Sequence, residues 1–140
     1  MNMGTRFIAT KEAPVHPNVK KALVEASELD TVLVMRALRN TERVLKNKGV
    51  SELLEIEREK GAGLKIDDIL EQVTGVYPKV MVDGEMDAGA WSCGMVVGLI
   101  HDIPTVKELI DRIMVDAEKI IRGRLTGFLD GNIAAGQKVA

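Results

Sequence analysis

The chain has 140 residues, about the size of one compact domain, so a multidomain enzyme is excluded. Hydrophobic residues make up 46% and charged residues 29%, a balance typical of a folded chain with a buried core and not of a disordered one. The net charge of −2 supplies no attraction to nucleic acid or anionic lipid, and we expect neither as a partner.

Apolar runs are short throughout the chain. The longest, residues 95–100, falls far below the ~20 residues that cross a bilayer, so we expect no membrane span. The first ten residues lack the apolar stretch of a secretory signal, which predicts a cytoplasmic location. The single cysteine, Cys93, cannot form an internal disulfide, and His16 and His101 lie far apart, so we also expect no metal site.

Two elements are predicted in the first quarter of the chain. Residues 17–26 carry apolar side chains at helical spacing behind Pro17, which predicts a helix. Residues 31–35 are a short β-branched run, which predicts a strand. A lone strand needs a hydrogen-bonding partner, and the candidates are residues 3–7 or a second copy of the chain.

Helix start and stop signals follow in the middle of the chain. Thr41 and Ser51 are predicted N-caps of two short helices that are broken at Gly49 and at residues 61–63. Residues 66–73 predict another helix, stopped by Gly75 and the following proline step. Three further glycines allow the backbone to approach another helix or a ligand closely: Gly89, Gly94 and Gly98.

The C-terminal helix is the strongest local signal. A capping box, Thr105 with Glu108, opens an apolar repeat with helical spacing. We expect this helix to end at Gly123 and the chain after Leu129 to be a frayed tail. The pattern as a whole predicts a mainly α fold with one or two short strands, and it contains no P-loop, dinucleotide-binding or nucleophile-elbow motif.

Several short motifs, in this order and spacing, carry a family resemblance. They are Met3-Gly4-Thr5-Arg6-Phe7, Asp30-Thr31-Val32, Arg36-Ala37-Leu38-Arg39-Asn40-Thr41, Asp87-Ala88-Gly89-Ala90-Trp91-Ser92 and Gly98-Leu99-Ile100-His101-Asp102-Ile103-Pro104. Together they resemble the FMN-dependent nitronate monooxygenase family, also called 2-nitropropane dioxygenase, over residues 2–121. The family fold is a TIM barrel of about 250 residues with a mainly helical lid, so the resemblance covers only its C-terminal portion.

The resemblance implies a division of the chain into four parts. Residues 1–16 are the end of the last barrel strand and the phosphate-binding loop, and residues 17–103 are a helical segment of the lid. Residues 104–123 are the C-terminal amphipathic helix, and residues 124–140 are a tail. We interpret the chain as a C-terminal fragment from a truncated or split reading frame, with Met1 as an internal start.

Site residues come from the same resemblance. The family uses Met-Gly-Thr for the FMN phosphate, which assigns cofactor binding to Met3, Gly4 and Thr5, and glycine there lets backbone approach a phosphate closely. The family's catalytic base is a histidine upstream of the matched region, so no catalytic residue is assigned and the fragment is expected to be inactive and free of FMN when alone. The alternative, in which Gly4 is only a loop glycine without a binding role, stays open.

The implied activity is oxidation of alkyl nitronates with O2. The chain departs from the family pattern at Met95, where the family commonly has glutamine. A thioether donates no hydrogen bonds, so this difference puts the identity of the substrate in doubt. One alternative is an FMN-dependent enoyl-acyl-carrier-protein reductase, which shares residues 4–7, although residues 35–41 look like the monooxygenase lid. Another is a non-catalytic helical remnant that self-associates or complements an N-terminal half.

The remaining polar candidates have structural interpretations. Arg6 is expected to be a surface cation and Phe7 a core anchor. His16 is expected to face solvent or cap a helix, and Cys93 to be a small buried residue without nucleophilic activity. His101 is not expected to be catalytic, because its carboxylate neighbour is adjacent in sequence and adjacent side chains rarely face one another.

Overall fold

The computed structural model describes residues 3–129, and the chain forms two compact units, Met1–Ile103 and Pro104–Ala140. The described part is mainly helical with two short strands, which confirms the predicted fold class. The helices are α1 (Gly4–Ile8), α2 (Pro17–Glu25), α3 (Lys48–Lys60), α4 (Leu70–Val73), α5 (Val76–Met81), α6 (Val106–Ile120) and α7 (Thr126–Leu129). The strands are β1 (Thr31–Val34) and β2 (Glu42–Leu45).

The two strands form an antiparallel hairpin. Val32 lies opposite Val44, and Thr31 opposite Leu45. The predicted strand is therefore confirmed, but its predicted partner is wrong, because Gly4–Ile8 is helical and β2 takes that place. Pairing with β1 satisfies the backbone of β2 and outweighs the local helix-start signal at Thr41, so Thr41 caps no helix.

A third segment joins the outer edge of the hairpin. Val44 and Ser92 form an isolated antiparallel bridge, and the Cys93 N–H donates to the Arg43 carbonyl at 2.9 Å. Trp91 and Cys93 are buried while Ser92 is exposed, which is the alternation of an extended chain. The bridge brings residues 91–93 alongside the first residues of β2.

Helix α2 confirms the prediction for residues 17–26, and His16 is its N-cap, with Nδ1 accepting the Asn18 N–H at 3.1 Å. Helix α3 begins earlier than predicted. Its N-cap is Asn47, whose Oδ1 accepts the Val50 N–H at 2.9 Å, so Ser51 lies inside the helix.

Gly49 lies within α3 and does not break it. A Cβ on Gly49 would lie 2.7 Å from the Gly89 Cα, so the two glycines let two backbones pack directly on each other. The sequence left open whether the backbone at Gly89 approaches another helix or a ligand. The structure shows that it packs against α3 of the same chain. Gly98 likewise approaches Glu28, whereas a Cβ on Gly94 would make only ordinary contacts.

The segment predicted as one helix over residues 66–73 is a 3₁₀ turn, Ile66–Ile69, followed by the single turn of α4. Gly75 follows in a left-handed conformation, with φ 69°, and separates α4 from α5. Pro78 does not stop a helix as predicted. It lies in the first turn of α5, where a missing N–H costs no helical hydrogen bond.

Two apolar clusters make up the core of the first unit. The first is built around Trp91 and includes Val19, Leu23, Val80 and Ile100, and the second joins the hairpin to α3 and includes Val34, Val44, Val50, Leu53 and Ile69. The two ends of this unit are tied together by Arg6. Its Nη2 donates to the Ala9 carbonyl at 2.7 Å and to the Asp102 carbonyl at 2.9 Å, and its Nη1 lies 3.3 Å from the Asp102 carboxylate.

The side chain of Arg6 is only 13% exposed, so it is not the surface cation that we predicted. Its carbonyl and carboxylate partners allow the guanidinium to be buried. Phe7 is half-buried and lies outside the fully buried core, although an anchoring role was predicted for it.

The second unit is a long helical segment. The Thr105–Glu108 capping box is confirmed, with the Thr105 N–H donating to Glu108 Oε2 at 2.7 Å. Helical backbone does not end at Gly123 as predicted, because a π-helical turn, Ile121–Leu125, joins α6 to α7. Gly123 keeps a right-handed conformation, so the left-handed C-cap that usually ends a helix at glycine does not form. The predicted tail after Leu129 lies outside the described residues.

Much of the apolar surface of the second unit is exposed. Leu109 is buried and Ile113 half-buried, while Met114 is 64% exposed. Other apolar side chains left open are Ile110, Val115, Ile120, Ile121 and Leu125. Across residues 3–129, no helix combines the length and apolar character that a bilayer crossing requires.

Candidate functional site

A cavity of about 570 Å³ in the first unit is the candidate site. Three segments distant in sequence form its wall: the start of α1, the start of β2 and the segment that bridges to β2. The lining residues are Met3, Gly4, Thr5, Ile8, Thr41, Glu42, Arg43, Ser92, Cys93, Gly94, Met95 and Val96. The three predicted site residues, Met3, Gly4 and Thr5, therefore share one cavity with Met95.

The start of α1 presents backbone to this cavity. Met3 is the N-cap of the helix, its carbonyl accepting the Phe7 N–H at 3.1 Å, and Gly4 is its first residue. Amides of a first helical turn have no acceptor within the helix. Gly4 is exposed and has no Cβ, so a ligand can approach the backbone closely here.

The Thr5 hydroxyl connects two walls of the cavity. Its Oγ1 accepts the Gly94 N–H at 3.0 Å. A hydroxyl accepts and donates at once, so this bond leaves the Thr5 O–H proton for another acceptor. The arrangement fixes the position of Thr5 and retains a donor for a bound anion.

A hydrogen-bonded chain of three polar side chains lies beside the cavity, and the sequence analysis missed it. The Tyr77 hydroxyl donates to Ser92 Oγ at 2.7 Å and accepts the Ser92 N–H at 3.0 Å. Ser92 Oγ in turn donates to Glu42 Oε1. The contact between Ser92 and Glu42 follows from the bridge between Ser92 and β2, which joins segments far apart in the sequence.

Arg43 contributes the one cationic side chain among the described lining residues, and Glu42 the one carboxylate. Arg43 Nη1 donates to Thr31 Oγ1 at 2.9 Å, across the hairpin. Because Glu42 already accepts from Ser92, its charge is partly satisfied within the wall. The cavity therefore offers the Thr5 hydroxyl proton and close approach to the backbone at Gly4, which suit an anion.

The other titratable candidates do not form a reactive centre. Cys93 is buried, as predicted, and burial raises the pKa of its thiol from 9.0 to about 11, which disfavours the nucleophilic thiolate. His16 caps α2, and His101 is exposed and absent from the described lining. Within residues 3–129, no group of three or more potential metal ligands comes together.

The fold of this chain is similar to part of two solved structures. FabK from Thermotoga maritima is similar over 90% of this chain and 39% of its own, with a TM-score of 0.77 and 30% identity. A FabK mutant (M276A) from the same organism is similar over 90% of this chain and 36% of its own, with a TM-score of 0.72 and 29% identity. The fold defines the class: it is that of part of an FMN-dependent TIM-barrel enzyme such as FabK.

The family assignment follows from the sequence. The model of the nitronate monooxygenase family matches residues 1–116, and the chain belongs to this family. The expected resemblance is thereby confirmed.

Two curated relatives are similar as well. Both are named (3aS,4S,5R,7aS)-5-hydroxy-7a-methyl-1-oxo-octahydro-1H-indene-4-carboxyl-CoA dehydrogenase. The Mycobacterium tuberculosis protein is 30% identical over 82% of this chain and 42% of its own length. The Rhodococcus jostii protein is 28% identical over 85% of this chain and 43% of its own length. The chain thus spans about two fifths of the curated relatives that it matches.

Proposed function

We propose that this chain supplies the FMN-phosphate site and part of the lid of a flavin-dependent oxidoreductase of the nitronate monooxygenase type, which oxidises alkyl nitronates with O2. The observation that carries the proposal is the single cavity that unites residues 3–5 with the segment around Met95. Family membership supports the flavin chemistry.

The residues present fit a phosphate. Gly4, the first residue of α1, leaves room for close approach to the backbone, and Thr5 keeps a hydroxyl proton. Arg43 adds a positive charge to the same wall. Met3, Gly4 and Thr5 are accordingly the residues that would hold the FMN phosphate.

FMN, when bound, supplies the electron transfer, and the protein supplies its placement and surroundings. In this chain the Thr5–Gly94 hydrogen bond fixes the phosphate wall against the segment that carries Met95. Met95 is 55% exposed and presents a thioether to the cavity, so it contributes apolar contact and no donor. We assign no catalytic base to residues 3–129.

A second candidate is reduction or dehydrogenation of an acyl thioester. The likeness to FabK favours the enoyl-acyl-carrier-protein reductase alternative, and the curated relatives are named for a CoA thioester substrate. Met95 counts against the first candidate, because it stands where the family commonly has glutamine. Both candidates use the same flavin site and differ in the substrate.

The test is a chimera in which this chain replaces the matched segment of FabK. We expect the chimera to bind FMN, and the purified 140-residue chain alone to show no flavin absorbance, because its cavity supplies only the phosphate end of a site. Nitronate-dependent O2 uptake supports the first candidate, and turnover of an acyl thioester supports the second. A chimera that is folded but free of flavin contradicts the proposal.

Matched variants of the chimera test the assigned residues. Gly4→Val places a branched side chain at the phosphate and should reduce FMN affinity at least tenfold. Gly94→Ala lines the same cavity but makes only ordinary contacts, so its affinity should stay within twofold of the unmodified chimera. Equal losses in both variants would contradict the assignment to α1.

A further inference from the structure

The turn between β1 and β2 presents two arginines to solvent. The Arg39 N–H donates to the Arg36 carbonyl at 3.1 Å, which closes a β-turn that we name the arginine turn, residues 36–39. Both arginines are exposed. Among the described residues, neither guanidinium forms an ion pair or hydrogen bond with another side chain. The Cα atoms of the first and last residues of a β-turn lie within about 7 Å of each other, so the two exposed guanidinium groups can reach the same ligand.

The backbone takes conformations that favour glycine or asparagine at Arg39, within the arginine turn, and at Met35, directly before it. Met35, with φ 58°, and Arg39, with φ 56°, are the two non-glycine residues at positive φ in the described part of the chain. Met35 is buried in the second core cluster and anchors the turn. Arg39 is exposed, so packing does not account for an arginine at a strained position, and such strain is a mark of functional sites.

The arginine turn leads directly into the cavity wall. Thr41, Glu42 and Arg43 line the cavity. The chain advances at most about 3.6 Å per residue, so the Arg39 Cα lies within about 7 Å of the Thr41 Cα. A ligand that extends out of the cavity past Thr41 therefore reaches the arginine turn.

We propose that the arginine turn is a phosphate subsite for the CoA moiety of a CoA-thioester substrate that binds beside the FMN-phosphate cavity. This inference rests on the second candidate function above. Guanidinium groups pair with phosphate through two parallel hydrogen bonds, and CoA carries a diphosphate and a 3′-phosphate at a distance from its thioester. A small alkyl nitronate carries no phosphate and leaves both arginines without a role.

Coenzyme A itself is the probe, titrated by calorimetry into the full chain without flavin. We expect binding, and we expect the double variant Arg36→Gln/Arg39→Gln to raise the Kd at least tenfold. Arg58→Gln is the matched control, because Arg58 is another exposed arginine of the same unit, at the end of α3. Its Kd should stay within twofold of the wild-type value.

A glycine variant separates charge from backbone conformation. Arg39→Gly keeps a residue that favours positive φ and removes the cation, so it should lose affinity as Arg39→Gln does. Dephospho-CoA should bind more weakly than CoA to the wild type, and the difference should shrink in the double variant. Circular dichroism of each variant verifies folding.

Two outcomes overturn the inference. One is wild-type chain that does not bind CoA, and the other is wild-type affinity in the double variant or in Arg39→Gly. The FMN content of the chimera is measured separately and decides the flavin proposal, so loss of CoA binding with retained FMN refutes the arginine turn alone. Loss of FMN with retained CoA binding refutes the flavin site and leaves the arginine turn standing.

Discussion

Thr5 Oγ1 accepts the backbone N–H of Gly94 at 3.0 Å, joining residues 89 positions apart in the sequence. The bond spans the candidate cavity, from the start of α1 to the segment that carries Met95. A change in either segment is therefore transmitted to the other, and the position of Thr5 depends on a residue that is not its neighbour in sequence.

Removing the Thr5 hydroxyl should destabilise the first unit. Thr5→Val keeps the side-chain shape and leaves the Gly94 N–H without its acceptor, which should lower the free energy of unfolding by about 1 kcal/mol. Thr5→Ser retains the hydroxyl and serves as the control. Guanidinium unfolding measures both, and equal stability of Thr5→Val and wild type would show that this hydrogen bond contributes nothing.

Gly89→Ala should be among the most damaging small substitutions. The new Cβ would lie 2.3 Å from the Gln72 carbonyl oxygen, and Gly89 has a φ of 143° that alanine rarely adopts. We expect a loss of about 2–3 kcal/mol, seen as a Tm lower by roughly 10 °C or more. Gly63→Ala is the matched control, because its Cβ would meet no atom within 4 Å. A Tm for Gly89→Ala equal to that of the control would refute the close packing.

Stability should fall in alkaline solution because of Cys93. Its thiol pKa is raised by burial from 9.0 to about 11, so between these values the folded chain holds a proton that the unfolded chain has lost. The free energy of unfolding therefore decreases as pH rises through this window. Denaturant unfolding from pH 8 to 11 should show a steeper decrease for wild type than for Cys93→Ala. Parallel pH profiles would contradict the buried thiol.

The second unit should mediate self-association. Its exposed apolar side chains, Met114, Ile121 and Leu125 among them, form more open apolar surface than a helix normally leaves in water. We expect the purified chain to form a homodimer or larger oligomer by light scattering. Ile121→Asp should reduce the measured mass towards one chain.

Arg124→Gln, an exposed polar change on the same helical segment, is the control for that experiment and should leave the mass unaltered. A monomeric wild-type chain would show that this surface does not mediate self-association.

Elements with local signals were predictable from the sequence. Helix α2 begins at Pro17 and α6 follows a Thr105–Glu108 capping box, and both signals lie within one turn of the helix that they start. Strand β2 was missed because its stability comes from pairing with β1, and that pairing is invisible in residues 42–45 alone. The end at Gly123 was wrong because a glycine permits a left-handed cap without enforcing one.

The residues of the candidate site also include some that the sequence indicates and some that only the tertiary structure brings together. Met3, Gly4 and Thr5 were assigned through family resemblance alone, since a five-residue helix leaves too short a pattern to read from spacing. The contacts of Ser92 with Tyr77 and Glu42 join residues 15 and 50 positions apart. Such contacts are set by tertiary packing, so no single-sequence pattern identifies them.

The contact between Arg6 and Asp102 has a consequence for engineering. It holds a residue near the start of the Met1–Ile103 unit beside a residue near its end. A unit with adjacent ends can be transplanted as a cassette or given new termini elsewhere. A circular permutant opened in the exposed Gly61–Gly63 turn, with a short linker across the old ends, should retain the hairpin, both core clusters and the cavity.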